Sequence, residues 1–247
     1  MVVQRVAEAG PYHFSLLPEM KHQMKAMTDY ASQKGYKRIA AIAINDDLGK
    51  ESIAELKQAL SEKGIGLVAE EYFDRPETDF RARLTKIDTS KPDAIYMMGY
   101  ASNLISITKQ STELGLKADL LTWSLFQDPA VLETLKDTAE QVVFTYPEDP
   151  RDLPVKSAFK KKFIDAYGIE SGVYAANAYD SYRLLAQAIS ICASNEDCIK
   201  VELSSIKDYE GANGFITVDE RGIGQRSEVA MKTVRSAKFV TVTGPSS

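Results

Sequence analysis

The order of hydrophobic patterns between Lys37 and Pro147 constrains this chain more than any other feature. Arg38–Ile44, Gly66–Phe73, Asp93–Tyr100, Asp119–Phe126 and Gln141–Tyr146 read as strands. Four of them carry an apolar run, as strands covered on both faces do, whereas Gly66–Phe73 (GLVAEEYF) has the mixed pattern of an outer strand. Between them lie helical patterns, such as Ile53, Leu56 and Leu60 at i, i+3 and i+7. Strands alternating with helices mean βαβ units and a parallel sheet, so the fold class is α/β. In such sheets ligands bind just beyond the carboxyl ends of the strands. That rule nominates Asn45–Leu48, Gly99–Ser102, Ser124–Gln127 and Tyr146–Glu148 before anything else is known. Within these segments Tyr100, with Ala101 beside it, and Phe126 are the preferred ligand contacts, while Trp123 is read as a core residue.

The flanking regions have a different character. Residues 1–18 look like an entry segment ending at Pro18. A helix is predicted from Glu19 to about Lys34, with Met20, Met24 and Met27 on one face and Gly35 as its stop signal. That methionine stripe is taken as core rather than as an adaptable groove. Residues 147–154 hold Pro147, Pro150 and Pro154 and read as a linker, since proline continues neither a helix nor a central strand. Beyond it come three helical patterns, Val155–Tyr167, Tyr174–Ile191 and Glu196–Lys207. They are followed by a short strand at Phe215–Val218, a turn at 219–222, and a hairpin of Glu228–Val234 with Lys238–Val242. These helices have apolar faces, among them Phe159, Phe163, Tyr182, Leu185 and Ile189, but no evident sheet to cover.

Bulk properties exclude several functions. A net charge of −5 with interspersed Lys and Arg gives no basic field for nucleic acid. No apolar run approaches the roughly 20 residues of a membrane span. The N-terminal MVVQRVAEAGPYHF lacks the apolar core of a signal peptide, so either a signal was removed or this is not the natural start. Glycine-rich phosphate loops and nucleophile elbows are absent, and the two histidines, His13 and His22, precede the first sheet strand. No catalytic constellation, cofactor or metal site is therefore indicated. Asn45-Asp46-Asp47 could hold Mg²⁺ only with a further Asp at a later strand end, and Asp93–Tyr100 ends in Gly-Tyr; the acids suit the N-terminus of the next helix. Cys192 and Cys198, with five residues between them, fit no zinc spacing. Their proximity favours a disulfide loop in an oxidising compartment over two unlinked thiols, and such a loop stabilises by roughly 2 kcal/mol.

The segments PYHFSLLP, RIAAIAINDDLGKE, KPDAIYMMGYASN, VYAANAYDSYRLLAQAI and YEGANGFITVDERG together resemble the periplasmic binding proteins of ABC transporters, of the branched-chain amino-acid (Leu/Ile/Val-binding) type. The resemblance runs from Pro11 to about Val242. It implies the type I periplasmic binding fold, two lobes with the chain crossing between them three times and ligand held at the hinge. On that template residues 19–146 form one complete lobe, finished by 226–243, and 155–222 belong to the other. The segment carrying most of that other lobe's sheet is then missing, and the chain reads as a C-terminal fragment of a longer protein. The family's pocket positions fall on Leu48 (an aromatic in the family), Tyr100, Ser124 (the acid that pairs with the ligand's ammonium) and Tyr174. An acid replaced by Ser124 puts an amino-acid ligand in doubt, because a buried ammonium needs a partner. The resemblance also implies a periplasmic or extracytoplasmic location, a small-molecule ligand and an ABC permease as partner. The uncovered faces of the incomplete lobe leave room for self-association. The alternative is a ligand-sensing domain of a receptor or regulator with the same fold.

Overall fold

The computed structural model describes residues 9–17, 19–225 and 228–242. Residues 1–8, Pro18, 226–227 and 243–247 lie outside them, and with these the end of the entry segment and both ends of the 226–243 stretch. The chain divides into two units. The smaller holds the described residues up to His22 and those of Pro147–Val229; the larger holds Gln23–Tyr146 and the chain from Ala230 onward. The chain therefore passes between units at His22–Gln23, at Tyr146–Pro147 and at Val229–Ala230.

In the larger unit the strands are β1 (Arg38–Ile44), β2 (Gly66–Phe73), β3 (Ala94–Met98), β4 (Asp119–Thr122), β5 (Val142–Tyr146), β9 (Ala230–Arg235) and β10 (Lys238–Thr241). Among the described residues they form a seven-stranded sheet in the order β10-β9-β5-β4-β3-β1-β2. The pairs from β2 to β5 are parallel, and β9 and β10 add antiparallel strands beside β5. The helices are α1 (Met20–Gln33), α2 (Asp47–Glu62), α3 (Arg81–Asp88), α4 (Ala101–Glu113) and α5 (Pro129–Leu135). Right-handed crossovers place α2, which moves the chain toward β2, on the face opposite α3, α4 and α5, which move it the other way. The sheet is covered on both sides, which is why β1 is buried from Ile39 to Ile44 and β3 throughout. Met24 and Met27 of the methionine stripe are fully buried in the core, whereas Met20 is half-buried.

Two strands are shorter than their apolar runs. β3 stops at Met98, and β4 stops at Thr122, where a 3-10 turn (Ser124–Gln127) takes over. The turn still buries Phe126 completely, against Phe144 at 5.5 Å between ring centres. An apolar run thus continued into the core without continuing as strand.

The smaller unit contains α6 (Pro154–Tyr167), α7 (Val173–Cys192) and α8 (Glu196–Ser204). It also holds a three-stranded antiparallel sheet, among the described residues, of β6 (Tyr209–Gly211), β7 (Gly214–Val218) and β8 (Gly224–Gln225). Only β7 was predictable from its pattern. Leu16, Leu184, Ile216 and Val218 form one apolar cluster, and Phe159, Ala176 and Ala212 a second. The strands pass close to buried acids: a Cβ on Gly214 (φ +105°) would lie 2.5 Å from the Asp149 Cβ, so only glycine fits that crossing. Phe159 is buried, but Tyr182, Leu185 and Ile189 are 75%, 44% and 46% exposed. The Cys192–Cys198 disulfide joins the end of α7 to α8, with Cα atoms 5.6 Å apart.

Residues 19–22 and 147–154 group with the smaller unit, not with the other lobe and a free linker. The reason is a set of ion pairs and hydrogen bonds made by the buried Glu19, Lys156 and Asn213. Arg221 donates two hydrogen bonds to the Glu19 carboxylate, at 2.9 and 2.8 Å, and Lys21 lies 2.6 Å from it. Burial pushes the Glu19 carboxyl up, but the hydrogen bonds from Arg221, Lys21 and Gln225 outweigh it and hold the pKa down to about 2. Buried Lys156 donates to the Asp149 carbonyl at 2.7 Å, and Asn213 donates to the Pro147 carbonyl at 2.8 Å. The proline-rich stretch is thus held at Pro147 and Asp149.

Candidate functional site

The strand order β2-β1-β3-β4-β5 reverses direction at β1, because the chain leaves β1 toward β2 and returns on its other side to β3. The loops after β1 and β3 therefore diverge, and the crevice they leave is where open α/β sheets hold ligands. The rim of the larger unit is built around that point.

After β1, the Asn45 N–H still bonds to the Phe73 carbonyl at 2.7 Å, and then the chain turns directly into α2. Asp46 is the N-cap, with φ −135° and its carboxylate accepting the Gly49 N–H at 2.9 Å. Asp46 thus serves as a helix cap, and Asp47 stands in the first turn, where its charge suits the dipole. Gly49 lets the helix lie against the strand end, since a Cβ there would fall 1.9 Å from the Ile44 carbonyl oxygen. Leu48 is half-buried between cap and contact point.

After β3, Tyr100 is the N-cap of α4, and its N–H donates to the Asn103 Oδ1 at 3.2 Å. Ala101 is the first residue of that helix and is half-buried, as is Tyr100. The first N–H groups of α4 have no intrahelical partners and carry the positive end of its dipole to the rim. Asn103 is buried and also donates to the Arg75 carbonyl at 3.5 Å, tying the loop after β2 to the start of α4. The Arg75 guanidinium lies over the Tyr100 ring, 4.5 Å from its centre.

After β4, the Trp123 indole N–H donates to the Gly99 carbonyl at 2.8 Å, and the ring is 7% exposed. It braces the β3 loop from within the core. Ser124 is 7% exposed at the start of the 3-10 turn. Phe126 is entirely buried, so its side chain is a core residue and not part of the rim surface. At the end of β5, Tyr146 is buried with Lys232 over its ring at 4.2 Å.

The rim thus brings together Leu48, Tyr100, Ala101 and Ser124 of the predicted set. Tyr174 stands in the smaller unit as the second residue of α7, 54% exposed. Arg75 and Asn103 were missed. Asn three residues after a strand-end tyrosine is a legible capping signal, whereas nothing in the sequence announces that Arg75 stacks on a ring 25 positions away. Among the described residues no group of three or more His, Cys, Asp or Glu side chains is placed to hold a metal, and no helix is long and apolar enough to cross a membrane.

A mostly parallel sheet with its switch point between the loops after β1 and β3 is the arrangement of an open α/β fold. The family model described as periplasmic binding protein matches residues 4–237, and the chain belongs to that family. An amino acid binding protein of Pseudomonas aeruginosa is 30% identical over 192 residues, which is 75% of this chain and 50% of that protein. The crystal structure of a leucine binding protein, LivK, from Thermotoga maritima superposes with a TM-score of 0.87 at 25% identity, covering 96% of this chain and 69% of that one. LivJ from Streptococcus pneumoniae, solved in complex with isoleucine, gives a TM-score of 0.80 at 26% identity with the same coverage. The chain spans about half the length of the curated relatives it matches.

Proposed function

We propose that this chain is the extracytoplasmic solute-binding component of an ABC transporter, or a part of it, and that it binds a small organic molecule, an amino acid or a related carboxylate or amide. The observation that carries this reading is the switch-point rim: Leu48 and Tyr100 flank the crevice, and the α4 N-terminus opens on it. Relatives named for amino-acid, leucine and Leu/Ile/Val binding support the ligand class. LivJ, described as a branched-chain amino acid transporter substrate binding protein, supports a transporter permease as the partner that receives the solute. Ser124 supplies no charge where a carboxylate would hold an ammonium, so the site is not built to demand a free amine. The exposed Tyr182, Leu185 and Ile189 of α7 supply an apolar surface for self-association of the chain as it stands.

Calorimetry with leucine, isoleucine and 4-methylpentanoate tests the reading. Saturable binding of at least one of them, lost in Tyr100→Ala, is the expected result. Absence of binding by all three, or binding indifferent to Tyr100, would contradict it.

A further inference from the structure

The described arginines are alike in one respect. Arg81, Arg83, Arg151 and Arg221 each donate to a carboxylate. Arg38 and Arg235 donate to backbone carbonyls, and Arg183 to the Tyr179 hydroxyl. Arg75 is the exception: among the described residues its guanidinium has no oxygen partner and rests only on the Tyr100 ring, 4.5 Å from the centre.

That placement is held from three sides. Pro76 follows Arg75 and biases its backbone toward extended conformations. The Asn103 amide, itself buried, donates to the Arg75 carbonyl. The ring beneath holds the guanidinium by cation–π attraction. A guanidinium lying on an aromatic face keeps its N–H edge free, and that edge matches both oxygens of a carboxylate. Part of the ordering cost of such a pairing is already met by the stacking. The arginine also stands beside the switch point, over one of the residues expected to touch the ligand, at a position no family motif had singled out.

We propose that Arg75 is a specificity-determining residue that receives the carboxylate of the ligand on this rim, so that the site selects small organic acids and does not require an ammonium. This rests on the solute-binding reading above. Ser124 is consistent with it, since the rim then carries a cation where the ligand is anionic and no acid where an amine would sit.

The test compares 4-methylpentanoate, its neutral isostere 4-methylpentanamide, and leucine, with the wild-type chain and with Arg75→Gln and Arg75→Lys. Arg75 is exposed, so neither substitution should disturb folding, and circular dichroism confirms this for each. Arg75→Gln should weaken 4-methylpentanoate and leucine by about tenfold to a hundredfold, the range for loss of charge-assisted hydrogen bonds. It should leave the amide within about twofold, and Arg75→Lys should restore part of the loss because it keeps the charge without the planar fork. If Arg75→Gln binds the acid as well as wild type does, or loses acid and amide equally, the assignment to Arg75 is wrong while solute binding stands. If wild type binds the amide and not the acid, the selectivity is wrong. If wild type binds none of the three, the solute-binding reading fails and this inference with it.

Discussion

Gly49→Ala sets two effects against each other at the rim. In an exposed helix, alanine in place of glycine stabilises by about 1 kcal/mol. Here the new Cβ would lie 1.9 Å from the Ile44 carbonyl oxygen, 2.9 Å from its carbon and 3.1 Å from its Cγ2, where ordinary contact begins at 3.4 Å. The Ile44 carbonyl belongs to a strand in register with Phe73 and cannot yield alone. The first turn of α2 must therefore retreat by more than 1 Å, roughly the gap between that contact and normal packing. Retreat stretches the 2.9 Å hydrogen bond from the Gly49 N–H to the Asp46 carboxylate. Overpacking of this kind costs about 1–3 kcal/mol and a lost cap about 1, so after the propensity gain the net is about 2 kcal/mol of destabilisation. For a unit of this size that lowers the melting temperature by about 4–8 °C. Trp123 is the single tryptophan and is buried in the same unit, so its fluorescence during urea or thermal unfolding reports that unit alone. A Gly49→Ala chain as stable as wild type, or more stable, would show that α2 does not press on the end of β1.

The Glu19 carboxyl is held at about 2, below its usual 4.5, so its contribution is in place above about pH 4.5 and disappears as pH falls through about 2. Arg221 and Lys21 are partly exposed and solvent screens the pairing, so the smaller unit should lose about 1–2 kcal/mol over that window, and Glu19→Gln should remove the dependence; a pH profile of hydrogen exchange identical in the two chains would refute this. Reduction of Cys192–Cys198 should add two hydrogens to the intact mass and destabilise the smaller unit by about 2 kcal/mol, and unchanged stability on reduction would contradict the loop-closure argument. Phe126→Ala should cost about 3–5 kcal/mol as a core truncation, whereas half-buried Tyr100→Ala should cost well under half of that; equal urea midpoints for the two would place Phe126 outside the core.

The parallel sheet was legible because buried strands must be apolar and crossover helices must be amphipathic, so Arg38–Ile44 and Gly66–Phe73 show their limits directly. The rim was legible for the same reason, since ligand loops lie where strands end. What failed were distinctions that periodicity does not carry. Trp123 and Phe126 satisfy the core equally well from a strand or from a 3-10 turn, and the run through Phe126 could not say which. Tyr209–Gly211 and Gly224–Gln225 are three- and two-residue strands stabilised by pairing with Gly214–Val218 and not by their own pattern. Glu19 went to the smaller unit because of Arg221, 202 positions away. Arg75 on Tyr100 is of the same kind, a contact made by topology between residues that look like unremarkable surface in isolation.

Hydrogen exchange of the chain with and without saturating 4-methylpentanoate or leucine tests most directly that the switch-point rim binds solute. The account predicts added protection confined, within the larger unit, to residues 45–49, 74–76, 99–103 and 123–125, with the amino-terminal ends of the same strands unchanged. Protection at those amino-terminal ends instead, or no change at the rim with either ligand at concentrations where calorimetry shows binding, would contradict it.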